Sequence, residues 1–348
     1  MLLGLAMMLS VVTSRGGVFY GGGDPSEIPE VEATGATYKV DGHVTDPLVA
    51  MKHAGWTAVR LRIWLQAPGK GWCDLDHTLK MAKRVHDAGL RLMLDFHYSD
   101  WWADPGKQNK PAAWKGLTFE QLTRTIHDYS RDVVKALVDQ GTPAEVVQPG
   151  NEITNGMLWP DGKVEVNGDG WDKLSMLLKS AIAGIREGAG RHQPKIMIHL
   201  DQGGRNNVSR IWFDNYFSRG GELDIIGLSY YPFWHGTMDA LRSNLTDLAN
   251  RYHKDLLVAE TSFPFKKGAQ GGDNPVPGIL PTPEGQNEYF SRLIKLVKAT
   301  PGHHGVGVLW WAPAWLPPPG RIEGGFRGLT LFDNGGEALP AFFAFGKN

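Results

Sequence analysis

Eight apolar strand-like runs, each followed by an amphipathic helical pattern, predict an α/β fold: a single (β/α)8 TIM barrel with its active site at the C-terminal ends of the strands. The length agrees, because 348 residues suit one large barrel and no low-complexity linker divides the chain. The third observation is positional. Chemistry-bearing side chains gather just after the predicted strands, whereas the opposite strand ends carry ordinary residues such as Lys195, Asp224 and Asp255.

Residues 1–15 read as a leader and 16–348 as the barrel domain. Leu2 to Val12 is an apolar run too short to span a bilayer, and Val11-Val12-Thr13-Ser14 closes it with small residues suited to a signal peptidase, although no basic segment precedes it. A secreted or periplasmic protein without a membrane span is expected. The first strand, Val18 to Asp24, breaks into Gly21-Gly22-Gly23, which is no dinucleotide fingerprint because no helix pattern opens behind it. Pro47 to Gly55 is helical with a glycine stop, and Ala58 to Trp64 then alternates strictly. Arg60, Arg62 and Trp64 share one face of that strand, Val59, Leu61 and Ile63 the other. If the cationic face lines the barrel, both arginines need carboxylate partners.

The unit repeats to the end of the chain. Leu75 to Leu90 is a helix and Arg91 to His97 a strand, which runs into the aromatic, acidic loop from Tyr98 to Gly106. Thr118 to Gln140 is a helix with a capping signal, and Val146-Val147 is a short β-branched run opening into Gly150-Asn151-Glu152. Helices follow at Trp171 to Gly188, Val208 to Ser218, Thr237 to His253 and Gly285 to Thr300, alternating with strands at Ile196 to Asp201, Asp224 to Pro232, Leu256 to Glu260 and Gly305 to Trp311. An aromatic helix from Ala338 to Phe345 closes the series. Phe265 to Pro283 and Ala314 to Gly328 are long Gly/Pro-rich loops on the side where a barrel places its site.

Composition narrows the partner. Lys plus Arg (36) nearly cancel Asp plus Glu (37), which gives no footprint for nucleic acid. Thirteen Trp point instead to flat apolar faces such as those of sugar rings, with Trp101-Trp102, Trp234 and Trp310-Trp311 at strand ends as candidates. A single cysteine, Cys73, excludes a disulfide framework.

The strand ends offer His97, Asn151, Glu152, His199, Asp201, Tyr231, Glu260 and Trp311. Two carboxylates at the ends of strands four and seven, Glu152 and Glu260, suit a retaining glycosidase, in which one carboxyl protonates the leaving oxygen and the other attacks the anomeric carbon. The acid needs a raised pKa and the nucleophile must stay ionised. Arg60 or Arg62 beside Glu260 would supply the charge, and Tyr231 a hydrogen bond. If Gly227 and Ser229 point inward, so does Tyr231, and Tyr230 packs outward. No HExxH, CxxC, phosphate loop or Gly-x-Ser-x-Gly elbow appears. His303-His304 precedes strand eight, at the wrong end for the site.

Taken in order, Gly22-Gly23-Asp24-Pro25-Ser26, Val59-Arg60-Leu61-Arg62-Ile63-Trp64, Asp95-Phe96-His97-Tyr98-Ser99-Asp100 with Trp102, Gly150-Asn151-Glu152, His199-Leu200-Asp201, Ser229-Tyr230-Tyr231-Pro232, Glu260-Thr261 and Trp311-Ala312-Pro313-Ala314-Trp315 resemble glycoside hydrolase family 53, the arabinogalactan endo-β-1,4-galactanases. The resemblance implies Glu152 as acid/base, Glu260 as nucleophile and Asn151 as partner of the sugar 2-hydroxyl. It further implies Arg60, Arg62, Asp95, His97, Asp100, Trp102, His199, Asp201, Tyr231 and Trp311 around a β-1,4-galactan chain. An endo-acting monomer without cofactor or required metal is expected. Some bacterial members of that family carry calcium in a long loop after strand eight, where this chain has only Glu323 as an acidic residue. Departures from the family pattern fall at Gln202-Gly203-Gly204-Arg205-Asn206, where two aromatics are missing, at Ala312 in place of a Glu, and at Phe326-Arg327-Gly328. They leave open a related barrel glycosidase acting on another β-linked polysaccharide or on short oligosaccharides.

Overall fold

The predicted strand runs become β1 (Tyr20–Asp24), β2 (Ala58–Ile63), β3 (Arg91–Phe96), β4 (Val146–Pro149), β5 (Lys195–Leu200), β6 (Ile225–Ser229), β7 (Asp255–Thr261) and β8 (Gly305–Trp311). All pair in parallel with their neighbours in that order, and β1 closes on β8 with Asp24 opposite Trp311. This computed structural model describes residues 17–66, 71–319 and 328–347, so the leader expected at 1–15, Glu323 and Phe326-Arg327 lie outside the described residues. Among the described residues no helix is long and apolar enough to cross a membrane.

The period-2 pattern of the strands decides what lies inside. Tyr20, Ala58, Met93, Val146, Met197, Ile225, Leu257 and Leu309, one from each strand, form an apolar plug at the N-terminal half of the barrel. Two residues further along β2 and again two further, Arg60 and Arg62 occupy the same inward face. Val59, Leu61 and Ile63 point outward into the larger core beneath the helices. Charge therefore enters the barrel above a dry floor, at the end where the site lies.

Among the described residues, besides a five-residue helix at Ile28–Glu32, the helices that cover the barrel are α1 (Pro47–His53), α2 (Leu75–Asp87), α3 (Phe119–Asp139), α4 (Trp171–Ala189), α5 (Asn206–Ser218), α6 (Met238–Tyr252) and α7 (Pro283–Lys298). Several start on a side chain that accepts orphan backbone N–H groups: Asp46, Asp74, Thr118, Thr237 and Thr282, with Thr118 and Gln121 completing a capping box. Two interior glycines of α4 cost helix propensity but let its backbone touch α3, because a Cβ at Gly184 or Gly188 would lie 2.1 or 2.2 Å from the carbonyls of His127 and Arg131.

The closing segment departs from the expected helix at Ala338 to Phe345. It is a 3-10 helix, Pro340–Lys347, because Phe342 and Phe345, three residues apart, both pack on Trp56 with centroids 5.7 and 5.8 Å away, a spacing that a three-residue turn aligns. Trp310 is also corrected. It is fully buried, its indole N–H donates to the Leu329 carbonyl at 2.9 Å, and it packs against Phe290, so it belongs to the core and not to a sugar platform. Parity explains this, since neighbouring residues of a strand face opposite sides and only Trp311 opens inward. Two short hairpins, Tyr38–Val40 with His43–Thr45 and Gly156–Met157 with Gly162–Lys163, add to the barrel on the chain's β1 and β4 loops.

Candidate active site

Glu152 leaves β4 through a turn that glycine makes possible. Gly150 has φ +95°, and a Cβ there would come 2.7 Å from Ile153. Glu152 itself has φ 48° and ψ 51°, left-handed backbone that a non-glycine residue enters at a cost. The result is a partly exposed carboxylate turned towards a cleft of about 630 Å³. Glu260 stands near the end of β7 and is buried at 5 % exposure. One carboxylate oxygen of each lies within 4.8 Å of the other. So close an approach of the facing oxygens is compatible with direct attack by one carboxylate, for which the two carboxyl groups stand roughly 5–5.5 Å apart.

The environments of the two carboxyls differ. Arg60 reaches Glu260 Oε1 at 2.6 Å, and the Tyr231 hydroxyl donates to Oε2 at 2.9 Å. Burial pushes the Glu260 carboxyl up, and the Arg60 guanidinium works against that rise. Glu152 is pushed well above the ordinary range, first by burial and then by the negative charges of Glu260 and Asp201. Among the described residues its carboxylate meets one side-chain hydrogen-bond partner, the Ser229 hydroxyl, 2.6 Å from Oε1. The proton therefore resides more readily on Glu152, and the charge more readily on Glu260.

Arg60, and not Arg62, is the cation beside Glu260. It is buried at 1 % exposure and also meets Asp95 Oδ2 at 3.0 Å and Asp24 Oδ2 at 3.4 Å, while donating to the Ala259 carbonyl. Arg62 pairs with Asp24 Oδ1 at 3.2 Å, lies 3.9 Å from Glu27, and stacks its guanidinium 4.4 Å from the Trp102 ring. Asp95 is held below the usual carboxylate range: burial raises it, and Arg60 and His97 more than offset that. The buried Glu27 carboxyl, which accepts from the Ala314 N–H, is pushed by burial up to about 8.

Of the residues singled out in the sequence, His97, Trp102, Asn151, Glu152, Asp201, Tyr231, Glu260 and Trp311 line the cleft. Arg60, Arg62, Asp95 and His199 stand beneath it, buried; Arg60, Asp95 and His199 make polar contacts to Glu260, His97 and Asn151 of the lining, and Arg62 stacks on Trp102. Asp100 lies apart: its carboxylate accepts from the backbone N–H groups of Gln66 and Ala112 and ties two loops together. Asp24, Gln148, Ser229, Arg205, His235 and Trp315 were not singled out as site residues. Ser229 was legible from its inward parity, and Trp315 from its place just past β8. Gln148 bridges Asp95 and Asn151, a contact across β3 and β4 that no local spacing encodes.

The cleft has aromatic walls on two sides. Trp102 stacks near-parallel with Trp315 at 6.1 Å and meets Trp311 at 5.9 Å on one side. Trp234, 54 % exposed and edge-on to Tyr231 at 5.3 Å, stands on the other. Where two aromatics were missing from the sequence pattern, the backbone is closed. A Cβ at Gly204 would lie 1.8 Å from the His235 carbonyl, and Asn206 donates to Asn244 and Asp247. Arg205 between them is exposed and lines the cleft. Glu152, His199 and Glu260 also present donor atoms within 4.8 Å, the spacing of a cation site. However, Arg60 already neutralises Glu260, and both His199 ring nitrogens are engaged, so the set reads as a hydrogen-bonded network.

A closed (β/α)8 barrel carrying two carboxylates at the ends of β4 and β7, over an aromatic cleft, is a glycosidase scaffold. The sequence profile described as glycosyl hydrolase family 53 matches residues 20–345. The chain belongs to that family. An uncharacterized protein of Niallia circulans is 41 % identical over 340 residues, 93 % of this chain and 92 % of the relative. The arabinogalactan endo-β-1,4-galactanase of Thermothelomyces thermophilus is 33 % identical over 335 residues, 94 % of this chain and 98 % of the relative. A solved structure of a fungal β-1,4-galactanase superposes with a TM-score of 0.87 at 32 % identity, covering 95 % of this chain and all (100 %) of that one.

Proposed function

We propose that the protein is a retaining endo-β-1,4-galactanase acting on the galactan chains of arabinogalactan, with Glu152 as acid/base and Glu260 as nucleophile. The observation that carries it is a carboxylate pair whose facing oxygens lie within 4.8 Å of one another in an aromatic-walled cleft. Ionised Glu260 attacks the anomeric carbon while the glycosidic C–O bond breaks and the Glu152 proton passes to the leaving oxygen. Glu152, now a carboxylate, takes a proton from water as the water oxygen displaces Glu260 from the anomeric carbon and regenerates both groups. Asn151 donates one amide hydrogen to the Ala103 carbonyl and its oxygen is held by His199, so its second amide hydrogen is free to meet the sugar 2-hydroxyl. The names of the galactanase relatives support galactan over other β-linked chains.

The reading extends to export, on the strength of the leader pattern at 1–15, and to action as a monomer, since one chain supplies both carboxylates and both aromatic walls. Release of reducing sugar from β-1,4-galactan, and not from mannan, xylan or arabinan, tests the substrate; turnover of one of those others in preference would overturn it. Trp234→Ala is expected to raise KM for the polymer roughly 2- to 10-fold, the loss of one stacking platform, as measured by initial rates over a range of galactan concentrations.

A further inference from the structure

We propose that His199 and Ser229 form a buried dyad that holds Glu152 in its protonated, proton-donating form. The inference rests on the acid/base reading of Glu152 and follows from counting donors and acceptors. Asn151 is fixed in orientation, because its amide nitrogen donates to the Ala103 carbonyl at 3.0 Å and its oxygen faces the Arg60 guanidinium at 3.4 Å. Reversing that amide would set two donors against each other and two acceptors against each other. His199 Nδ1 lies 2.9 Å from this fixed oxygen and 3.2 Å from the Gln148 amide nitrogen, whose two hydrogens go to Asp95 and the Gly150 carbonyl, so Nδ1 carries a hydrogen and donates it to Asn151.

The other nitrogen then decides the state of Ser229. Burial and the Arg60 charge push the His199 pKa well down, so the ring is neutral and Nε2 is an acceptor. Among the described residues the hydrogen-bond partner of Nε2 is Ser229 Oγ at 2.9 Å, both residues being fully buried. Ser229 has one hydrogen to give. Once it goes to His199, the 2.6 Å contact with Glu152 Oε1 needs its hydrogen from Glu152. Ionising Glu152 turns the serine hydroxyl around and leaves Nε2 buried without a donor, a cost that the protonated acid avoids. The charged and titratable groups facing this chain are Arg60, Asp95, His97, Asp201, His235 and Glu260, with Tyr231 bound to Glu260. Among the described residues none of these hydrogen-bonds the Ser229 hydroxyl, and His235 meets only the Ser229 backbone. Ser229 is thus a positioning residue that acts through Glu152.

The test is the pH profile of kcat/KM on galactan, whose alkaline limb reports the acid in the free enzyme. In Ser229→Ala the alkaline limb is expected to fall by roughly one pH unit, with the acidic limb in place. His199→Phe, which frees the serine hydroxyl to serve the carboxylate, is expected to shift it the same way, so either variant suffices if the other fails to fold. If serine merely donates to an ionised Glu152, the limb in Ser229→Ala rises instead, and an upward or absent shift overturns the dyad. The reading of Glu152 is checked separately: Glu152→Ala should lose activity on galactan while azide restores turnover of an aryl galactoside with a good leaving group. Rescue there with no shift in Ser229→Ala rejects the dyad alone; no rescue rejects the acid/base assignment.

Discussion

Glu260→Gly is expected to lower galactan hydrolysis by at least ~10⁴-fold, about 5 kcal/mol of barrier, because no other group can attack the anomeric carbon from that side. Tyr231 and Arg60 remain, but each of them only serves the carboxylate that has gone. The vacated space admits a small anion on the same face. With azide and an activated aryl β-galactoside, the variant should therefore form α-galactosyl azide, the product of a single displacement. Near-normal hydrolysis by the variant, or a β-azide from it, would mean that Glu260 is not the nucleophile. The opposite stereochemistry is expected from azide rescue of Glu152→Ala, since there the glycosyl-enzyme still forms first.

Arg60→Met is expected to destabilise the barrel by about 3–5 kcal/mol, as removing one partner of a buried ion network does. The guanidinium serves Asp24, Asp95 and Glu260 at once, so its loss leaves Asp95 and Glu260 without their arginine in a dry interior, while Asp24 keeps Arg62. The pH dependence has a definite sign. Asp95, held below its unfolded value in the native protein, contributes stability above pH about 4 that is lost as pH falls through its folded pKa. Without Arg60 that contribution is gone, so urea unfolding should show the largest deficit near neutral pH and a smaller one below about pH 4. Glu260, already raised by burial, should rise further, which moves the acidic limb of activity upward. A deficit independent of pH would reduce Arg60 to a packing role.

Much of this arrangement was legible in the chain. Strict alternation in Ala58 to Trp64 placed two arginines inside a barrel, and burial without partners is so costly that carboxylates had to be near. Which carboxylates was not legible: Asp24 reaches both arginines across the β1–β2 pairing, and Glu27 approaches Arg62 from a loop. The inward face of β6 predicted Tyr231 beside Glu260, and the hydroxyl is there. The same face predicted that Ser229 points inward, yet its meaning needed His199 from β5 and Glu152 from β4 to converge on one oxygen. Asp100 illustrates the opposite failure. An aspartate after a strand looks chemical in sequence, and only the loop geometry shows it holding two backbone N–H groups.

The left-handed backbone at Glu152 has a further meaning. A residue with a Cβ costs on the order of 1 kcal/mol or more in that conformation, and glycine or asparagine would sit there with less strain. Folding alone would thus select against the side chain that this position carries. A glycine there should melt at a higher temperature while losing the acid, so that thermal shift and activity move in opposite directions. Directed evolution for heat resistance, run without a catalytic screen, would drift towards an inert barrel through this one codon.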